Sequence, residues 1–127
     1  MKKLEQEIKT FLKEREWDHL KPADIAKSIM IEGAELLELF QWSDETLEEV
    51  KKDKEKMDEI KKELADVFIY GLQMATHLGL DTEKIILDKL EAAKKKFPPD
   101  VVRSWHAERP GTDENYWKIK KQHRKIK

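Results

Sequence analysis

The stretch ELADVFIYGLQMATH, residues 63–77, decides the fold, because it is a helix-length segment with almost no side that could face water. On a helix, every polar side chain of the stretch except Thr76 falls within an arc of about 80°. These polar side chains are Glu63, Asp66, Tyr70, Gln73 and His77. Apolar residues cover most of the remaining circumference, which is typical of a helix buried on most sides. We therefore predict that the polar stripe lines an internal cleft.

A second segment, SIMIEGAELLELFQW at residues 28–42, also combines acids with an apolar face. On a helix, Glu32 projects inside the apolar arc and Glu35 lies just past its edge. Glu38 falls on the opposite side, where we interpret it as solvated surface. A carboxylate taken from water without a partner costs several kcal/mol, so Glu32 needs a cation, a hydrogen-bond donor or a water-filled cleft.

The two segments carry the same E-x-x-[ED] spacing, which puts both acids of each pair on one helix face. Glu32 and Glu35 form one pair, and Glu63 and Asp66 form the other. Either pair alone is weak evidence, but two pairs lodged in apolar arcs predict four carboxylates that converge. All-oxygen ligation favours a hard divalent cation such as Mg²⁺, or else Mn²⁺. Because Mg²⁺ commonly bridges to substrate phosphates, the predicted ligand is a nucleotide or another polyphosphate.

Composition narrows the class of protein. A chain of 127 residues suits one domain, and a net charge of −1, from 26 Lys and Arg against 27 Asp and Glu, argues against a general nucleic-acid binder. The absence of cysteine excludes a disulfide scaffold and fits a reducing cytoplasm. No apolar run is long enough to span a membrane. We expect a soluble, cytoplasmic protein without a membrane partner.

The hydrophobic periodicity is helical throughout and predicts an all-α fold, a four-helix bundle. Pro22 opens the second helix, Ser43 or Asp44 offers an N-cap after it, and Gly79 ends the third. The predicted helices cover roughly residues 2–17, 22–42, 55–77 and 82–97, with a charged connector and a short helix at 43–57.

The pattern weakens after residue 100. Trp105, Tyr116 and Trp117 suggest that part of this tail packs against something. The last eleven residues, WKIKKQHRKIK, carry six Lys or Arg. A nucleic-acid or phosphate contact would explain them, but we favour a solvated or partly disordered tail.

The acidic motifs resemble those of the MazG-like, all-α nucleoside triphosphate pyrophosphohydrolase superfamily. The resemblance rests on EGAE and ELAD, with 27 residues between them, and on the flanking FQW and KKKFP. Over residues 11–98 the sequence is most similar to the dCTP pyrophosphatase branch. It departs from that pattern at Ala93 and Phe97, where relatives commonly have Asn and Tyr. We expect a pyrophosphohydrolase domain at 1–100 and a basic extension at 101–127.

The resemblance implies an enzyme that clears unwanted nucleotides from the cellular pool. Water attacks the α-phosphorus of a nucleoside triphosphate and gives the monophosphate and pyrophosphate. The four acids bind Mg²⁺ and form the catalytic site, and the protein assembles as a homodimer or homotetramer. The resemblance also implies that Trp42 lies beside the base and that Lys89 and Lys96 lie beside the phosphates of the substrate. We add Tyr70, in the polar stripe, as a fourth predicted substrate-binding residue.

Alternative interpretations remain for these residues and for the whole protein. Each lysine is also consistent with a solvated charge, and Trp42 with a core or interface residue. A di-metal carboxylate bundle would bury acids on facing helices, but it needs two Glu-x-x-His motifs, and only Glu16 with His19 fits. A non-enzymatic helical interaction protein would explain an oligomer and the basic tail, yet it gives four inward carboxylates no purpose.

Overall fold

The structure, a computed structural model, describes residues 1–108 and 114–125 and is all-helical over those residues. The bounds of the helices are α1 Lys2–Glu14, α2 Pro22–Glu38, α3 Leu47–Lys52, α4 Lys54–His77, α5 Thr82–Lys96, α6 Pro99–Glu108 and α7 Glu114–Lys125. The four long helices expected from the periodicity are α1, α2, α4 and α5. The all-α class is confirmed, whereas the four-helix bundle and its assembly into an oligomer stay predictions.

The chain divides into two compact units, Met1–Ile85 and Ile86–Lys127. In the first unit, α4 packs mainly against α2 and also contacts α1 and α3. Ile8 and Leu12 of α1 form a small core with Leu72 of α4, and Ile25 of α2 is almost fully buried. Each buried side chain of this size contributes about 1.5–3 kcal/mol to the free energy of unfolding. The pairing of α2 with α4 positions both acidic motifs.

Local sequence signals explain where α2, α3 and α4 begin. Pro22 stands at the first turn of α2, where its missing N–H costs nothing. Thr46 Oγ1 accepts from the Glu49 N–H at 3.3 Å and Glu49 Oε2 accepts from the Thr46 N–H at 2.8 Å, a capping box that starts α3. Asp53 caps α4 by accepting from the Lys56 N–H at 3.0 Å. The N-cap after α2 is therefore Thr46, and the prediction of Ser43 or Asp44 was wrong.

Two helices end earlier than the sequence predicts. α1 stops at Glu14, because Glu16 adopts φ 57°, a left-handed conformation that breaks the helical path. α2 stops at Glu38, and the chain then turns through Phe40. Lys56 holds this turn against α4: its Nζ lies 3.1 Å from Glu45 Oε1 and 5.0 Å from the centroid of the Phe40 ring.

The second unit contains more regular structure than the weak pattern after residue 100 predicts. Both α6 and α7 lie in this region, and the rings of Phe97 and Tyr116 stack with centroids 5.5 Å apart. Tyr116 also meets Trp117 edge to face at 5.4 Å. The expectation that these aromatic residues mark a packed part of the tail is confirmed for Tyr116, whereas Trp117 is 49% exposed and meets residues of its own helix. Among the described residues no helix is both long and apolar enough to cross a bilayer.

Candidate metal centre

Three of the four predicted acids meet where α2 packs against α4. One carboxylate oxygen from each of Glu32, Glu63 and Asp66 lies within 4.8 Å of the other two. All three side chains are half-buried. Helical spacing places Glu63 and Asp66 on one face of α4, and the packing of α2 against that face brings in Glu32.

Glu35, the fourth predicted acid, is more exposed but interacts with Glu32 and Glu63. Removal from water raises the pKa of Glu32 above its ordinary value, and the charge of Glu35 and a hydrogen bond with Glu35 raise it further. The charges of Asp66 and Glu63 add smaller contributions of the same sign. A hydrogen bond between two carboxyl groups needs one proton between them, so the site holds protons more strongly than isolated glutamates do.

The pKa of Glu63 is raised for the same reasons. Removal from water is the largest cause, followed by a hydrogen bond with Glu35 and by the charges of Glu35 and Asp66. The charge of Glu38 contributes as well. Glu38 is exposed, as the sequence predicts, yet it is close enough to act on Glu63, which the helical projection missed. The signal in the sequence was the third acid in the series Glu32, Glu35 and Glu38, each three residues after the last.

No Lys or Arg forms a salt bridge with these four acids within the part of the chain that the structure describes. Other acids on the same helices are paired, as in Asp24 with Lys27 at 3.5 Å and Asp58 with Lys61 at 2.9 Å. Other acids in the chain also lack a basic partner, but Glu32, Glu63 and Asp66 in addition lie close to one another. Their charges therefore repel one another.

The geometry fits a hard divalent cation. Oxygens bound octahedrally to one Mg²⁺ at about 2.1 Å lie about 3.0 Å apart when adjacent and about 4.2 Å apart when opposite. Glu32, Glu63 and Asp66 already span no more than 4.8 Å, so modest side-chain rotation would suffice for them to share one ion. Glu35 lies outside this group of three, although it acts on both Glu32 and Glu63. Carboxylates without nitrogen or sulfur donors favour Mg²⁺ or Mn²⁺ over softer metals.

The other predicted site residues are not members of this acidic cluster. Trp42 lies in the turn after α2 and is 92% exposed, so it is not a core residue of the single chain. Tyr70 is half-buried on α4, one turn beyond Asp66. Lys89 and Lys96 line a cavity of about 750 Å³ in the second unit. Their roles in substrate binding remain predictions.

The polar stripe of α4 continues past Tyr70 into the interior, as expected for a stripe that faces inward. Gln73 is 2% exposed, and the His77 ring is part-buried, with Nδ1 2.9 Å from the Gln73 carbonyl oxygen. The di-metal alternative finds no support in its one candidate motif. Glu16 lies beyond the end of α1, and both Glu16 and His19 are exposed.

The fold and the site define an all-α protein whose central helix pair presents a cluster of carboxylates. The chain belongs to the MazG-like family, which matches residues 27–105. It is 28% identical over 96 residues to dCTP pyrophosphatase 1 of Mus musculus and 29% identical over 97 residues to that of Homo sapiens. These matches cover 73% and 74% of the chain but 56% of each relative, so the chain spans little more than half their length.

A solved structure resembles the chain more completely. The crystal structure of a pyrophosphatase from Archaeoglobus fulgidus superposes with a TM-score of 0.68 at 33% sequence identity. The match covers 77% of this chain and 92% of that one. The resemblance to this superfamily and to its dCTP pyrophosphatase branch is therefore confirmed.

Proposed function

We propose that the protein is a metal-dependent nucleoside triphosphate pyrophosphohydrolase. The observation that carries the proposal is the cluster of Glu32, Glu63 and Asp66, whose carboxylate oxygens lie within 4.8 Å of one another without a basic partner among the described residues. Such a cluster is unfavourable without a cation, because each charge raises the energy of the others. A cation bound among the three carboxylates would explain why the protein holds them in this unfavourable arrangement. The family relationship supports pyrophosphate chemistry as the use of this cation.

Glu32, Glu35, Glu63 and Asp66 would hold Mg²⁺, with Mn²⁺ as the alternative. A divalent ion bound there supplies positive charge to the phosphate oxygens and positions the reacting groups. In the proposed reaction, water forms a bond to the α-phosphorus, the bond between that phosphorus and the bridging oxygen breaks, and pyrophosphate leaves. A carboxylate of this cluster would accept the proton that the attacking water loses.

Substrate binding is assigned to four further residues. The exposed indole of Trp42 is available to stack on a nucleobase, and Tyr70 is one helical turn from Asp66. Lys89 and Lys96 supply charge for phosphates. The names of the mammalian relatives make dCTP the first substrate to test. The cysteine-free composition fits a reducing cytoplasm, where such an enzyme would clean the nucleotide pool.

We also propose that the protein works as a homodimer or homotetramer. In the single chain, large apolar side chains of the two central helices stay exposed. They are Met30, Ile31 and Leu37 on α2, and Leu64, Phe68 and Ile69 on α4. Apolar surface of this extent on both helices of one pair needs a partner, and a second copy supplies one by symmetry. We also propose that residues 1–100 form the catalytic domain and that residues 101–127 form a basic extension.

A substrate panel tests the proposed activity. Canonical NTPs and dNTPs, with dCTP first, are incubated with the full chain and Mg²⁺, and the monophosphate and pyrophosphate are measured. Reaction in ¹⁸O water should label the monophosphate, because water attacks the α-phosphorus. Label found only in pyrophosphate would refute attack at that atom. Release of single orthophosphate, or no turnover of any nucleotide, would refute the proposed reaction.

A further inference from the structure

The second unit contains a cavity of about 750 Å³ lined by basic residues from two helices. Lys89 and Lys96 come from α5, and Lys120 and Arg124 come from α7. Ala92 and Ala93 form part of the wall between them, and their small side chains leave the cavity open. The volume lies within the range of small-molecule sites, roughly 300–1,000 Å³.

None of the four basic side chains forms a salt bridge with an acid among the described residues. Neighbouring charges in the same unit are paired with each other instead, as in Lys94 with Glu91 and Arg103 with Asp100. Four like charges around one concavity repel one another, and an anion placed among them would relieve that repulsion. The cavity is therefore complementary to a ligand with several negative charges.

The aromatic side chains hold this arrangement together. Phe97 and Tyr116 stack at 5.5 Å, which joins the end of α5 to the start of α7. Lys120 Nζ donates to Tyr116 Oη at 3.2 Å and lies 5.2 Å from the Trp117 ring centroid. Such contacts fix the position of the ammonium group before a ligand arrives, which lowers the entropy cost of binding.

We propose that α7 completes a polyphosphate-binding site, in which Tyr116, Lys120 and Arg124 act together with Lys89 and Lys96. A short phosphate chain matches the site because it concentrates several charges within one small volume and accepts charge-assisted hydrogen bonds from Lys and Arg. A long nucleic acid matches it less well, since the chain as a whole has a net charge of −1. Lys89 and Lys96 lie within residues 27–105, the part that matches the family, whereas α7 lies outside it, so the family match does not account for the contribution of α7.

The polyphosphate site rests on the proposed function in one respect only, which is that the phosphates belong to a nucleotide substrate. Binding of inorganic tripolyphosphate tests the site without turnover. Calorimetric titration of the full chain in EDTA should show binding that Lys120→Ala with Arg124→Ala weakens at least about tenfold, as expected for two lost charge-assisted contacts. The matched control is Lys118→Ala with Lys121→Ala, which removes the same charge from exposed positions of α7 that do not line the cavity.

Circular dichroism of both double variants checks that α7 stays helical, and Lys120→Gln with Arg124→Gln repeats the test with longer side chains. Equal weakening in the control pair would show a general charge effect and overturn the site. Wild-type affinity for tripolyphosphate in both the alanine and the glutamine double variants of Lys120 and Arg124 would also overturn the site. Binding of a thymidine oligonucleotide without terminal phosphates, where tripolyphosphate fails to bind, would overturn it in favour of nucleic acid.

Measurements of nucleotide turnover test the α7 site and the proposed enzymatic function separately. If nucleotides are hydrolysed, the Lys120 and Arg124 double variant should raise KM with little change in kcat, because it removes ground-state phosphate contacts. Hydrolysis with an unchanged KM and unchanged tripolyphosphate binding would remove the α7 site and leave the enzyme assignment intact. Tripolyphosphate binding that depends on Lys120 and Arg124, without turnover of any nucleotide, would keep the site and remove the enzyme assignment.

Discussion

Replacement of Asp66 by Asn distinguishes a metal site from a structural ion pair. The change keeps the shape of the side chain and removes one negative charge. If the cluster serves to bind a cation, the metal-free protein contains like charges that repel each other, and Asp66→Asn relieves part of that repulsion. If Asp66 instead paired with a basic residue, the same change would leave a partner charge unmatched, at a cost of about 3 kcal/mol or more.

The magnitude follows from the distances in the cluster. Asp66 and Glu32 have carboxylate oxygens no more than 4.8 Å apart. Two unit charges at that separation repel by about 0.9 kcal/mol in bulk water. We therefore expect the free energy of unfolding of the metal-free variant to equal that of the wild type or to exceed it by about 1 kcal/mol. For a domain of this size, 1 kcal/mol corresponds to a rise in Tm of about 4 °C.

Magnesium should reverse the order of the two proteins. At a Mg²⁺ concentration ten times Kd, the wild type should gain about 1.4 kcal/mol in the free energy of unfolding. Asp66→Asn should lose most of this gain and nearly all nucleotide hydrolysis, because a neutral amide is a poor ligand for a hard cation.

Thermal melts in EDTA and in millimolar Mg²⁺ measure both effects, with Asp58→Asn as the control. Asp58 is an exposed aspartate on the same helix that pairs with Lys61 at 2.9 Å. Its replacement should cost no more than about 0.5 kcal/mol and leave the Mg²⁺ shift intact. A large destabilisation of Asp66→Asn in EDTA, together with a Mg²⁺ shift of wild-type size, would refute the assignment of Asp66 as a ligand.

Three further predictions follow from the pKa shifts, the exposed apolar surface and the position of Trp42. The pKa of Glu63 is raised in the folded state. Between the ordinary glutamate pKa and this raised pKa, the folded state therefore binds more protons than the unfolded state. The metal-free protein should lose stability as pH rises through that window. Denaturant titrations in EDTA should therefore show Glu63→Gln gaining stability relative to the wild type as pH rises, and a gap that stays constant or narrows with pH would contradict the shift. Phe68, which is 60% exposed on α4, should lie in the subunit interface. Light scattering should show that the wild type is an oligomer and that Phe68→Asp dissociates it. The control variant Lys62→Asp should leave the oligomer intact. A well-folded wild-type monomer at micromolar concentration would exclude the oligomer. Trp42→Ala should raise KM for the preferred nucleotide with the fold unchanged, since the indole is 92% exposed, and an unchanged KM across the substrate panel would remove Trp42 from the site.

The sequence by itself determined the four long helices and the pairing of acids on two of them, α2 and α4. The apolar circumference of residues 63–77 predicts a helix, and a spacing of three residues puts Glu63 and Asp66 on one face of it whatever surrounds them. The same reasoning gave Glu32 and Glu35 on α2. These conclusions depend on local geometry alone, which is why one sequence sufficed for them.

Tertiary structure decided which of these faces meet and where the helices end. Glu32 comes within 4.8 Å of Glu63 and Asp66 only because α2 packs on α4, a contact between segments far apart in the chain. A projection of one helix cannot show that Glu38 acts on Glu63, since the field of a charge reaches across to a neighbouring helix. The same holds for α7. Its basic side chains looked like solvent-exposed charges in the sequence, and only the packing of Tyr116 on Phe97 brings Lys120 and Arg124 to one cavity with Lys89 and Lys96.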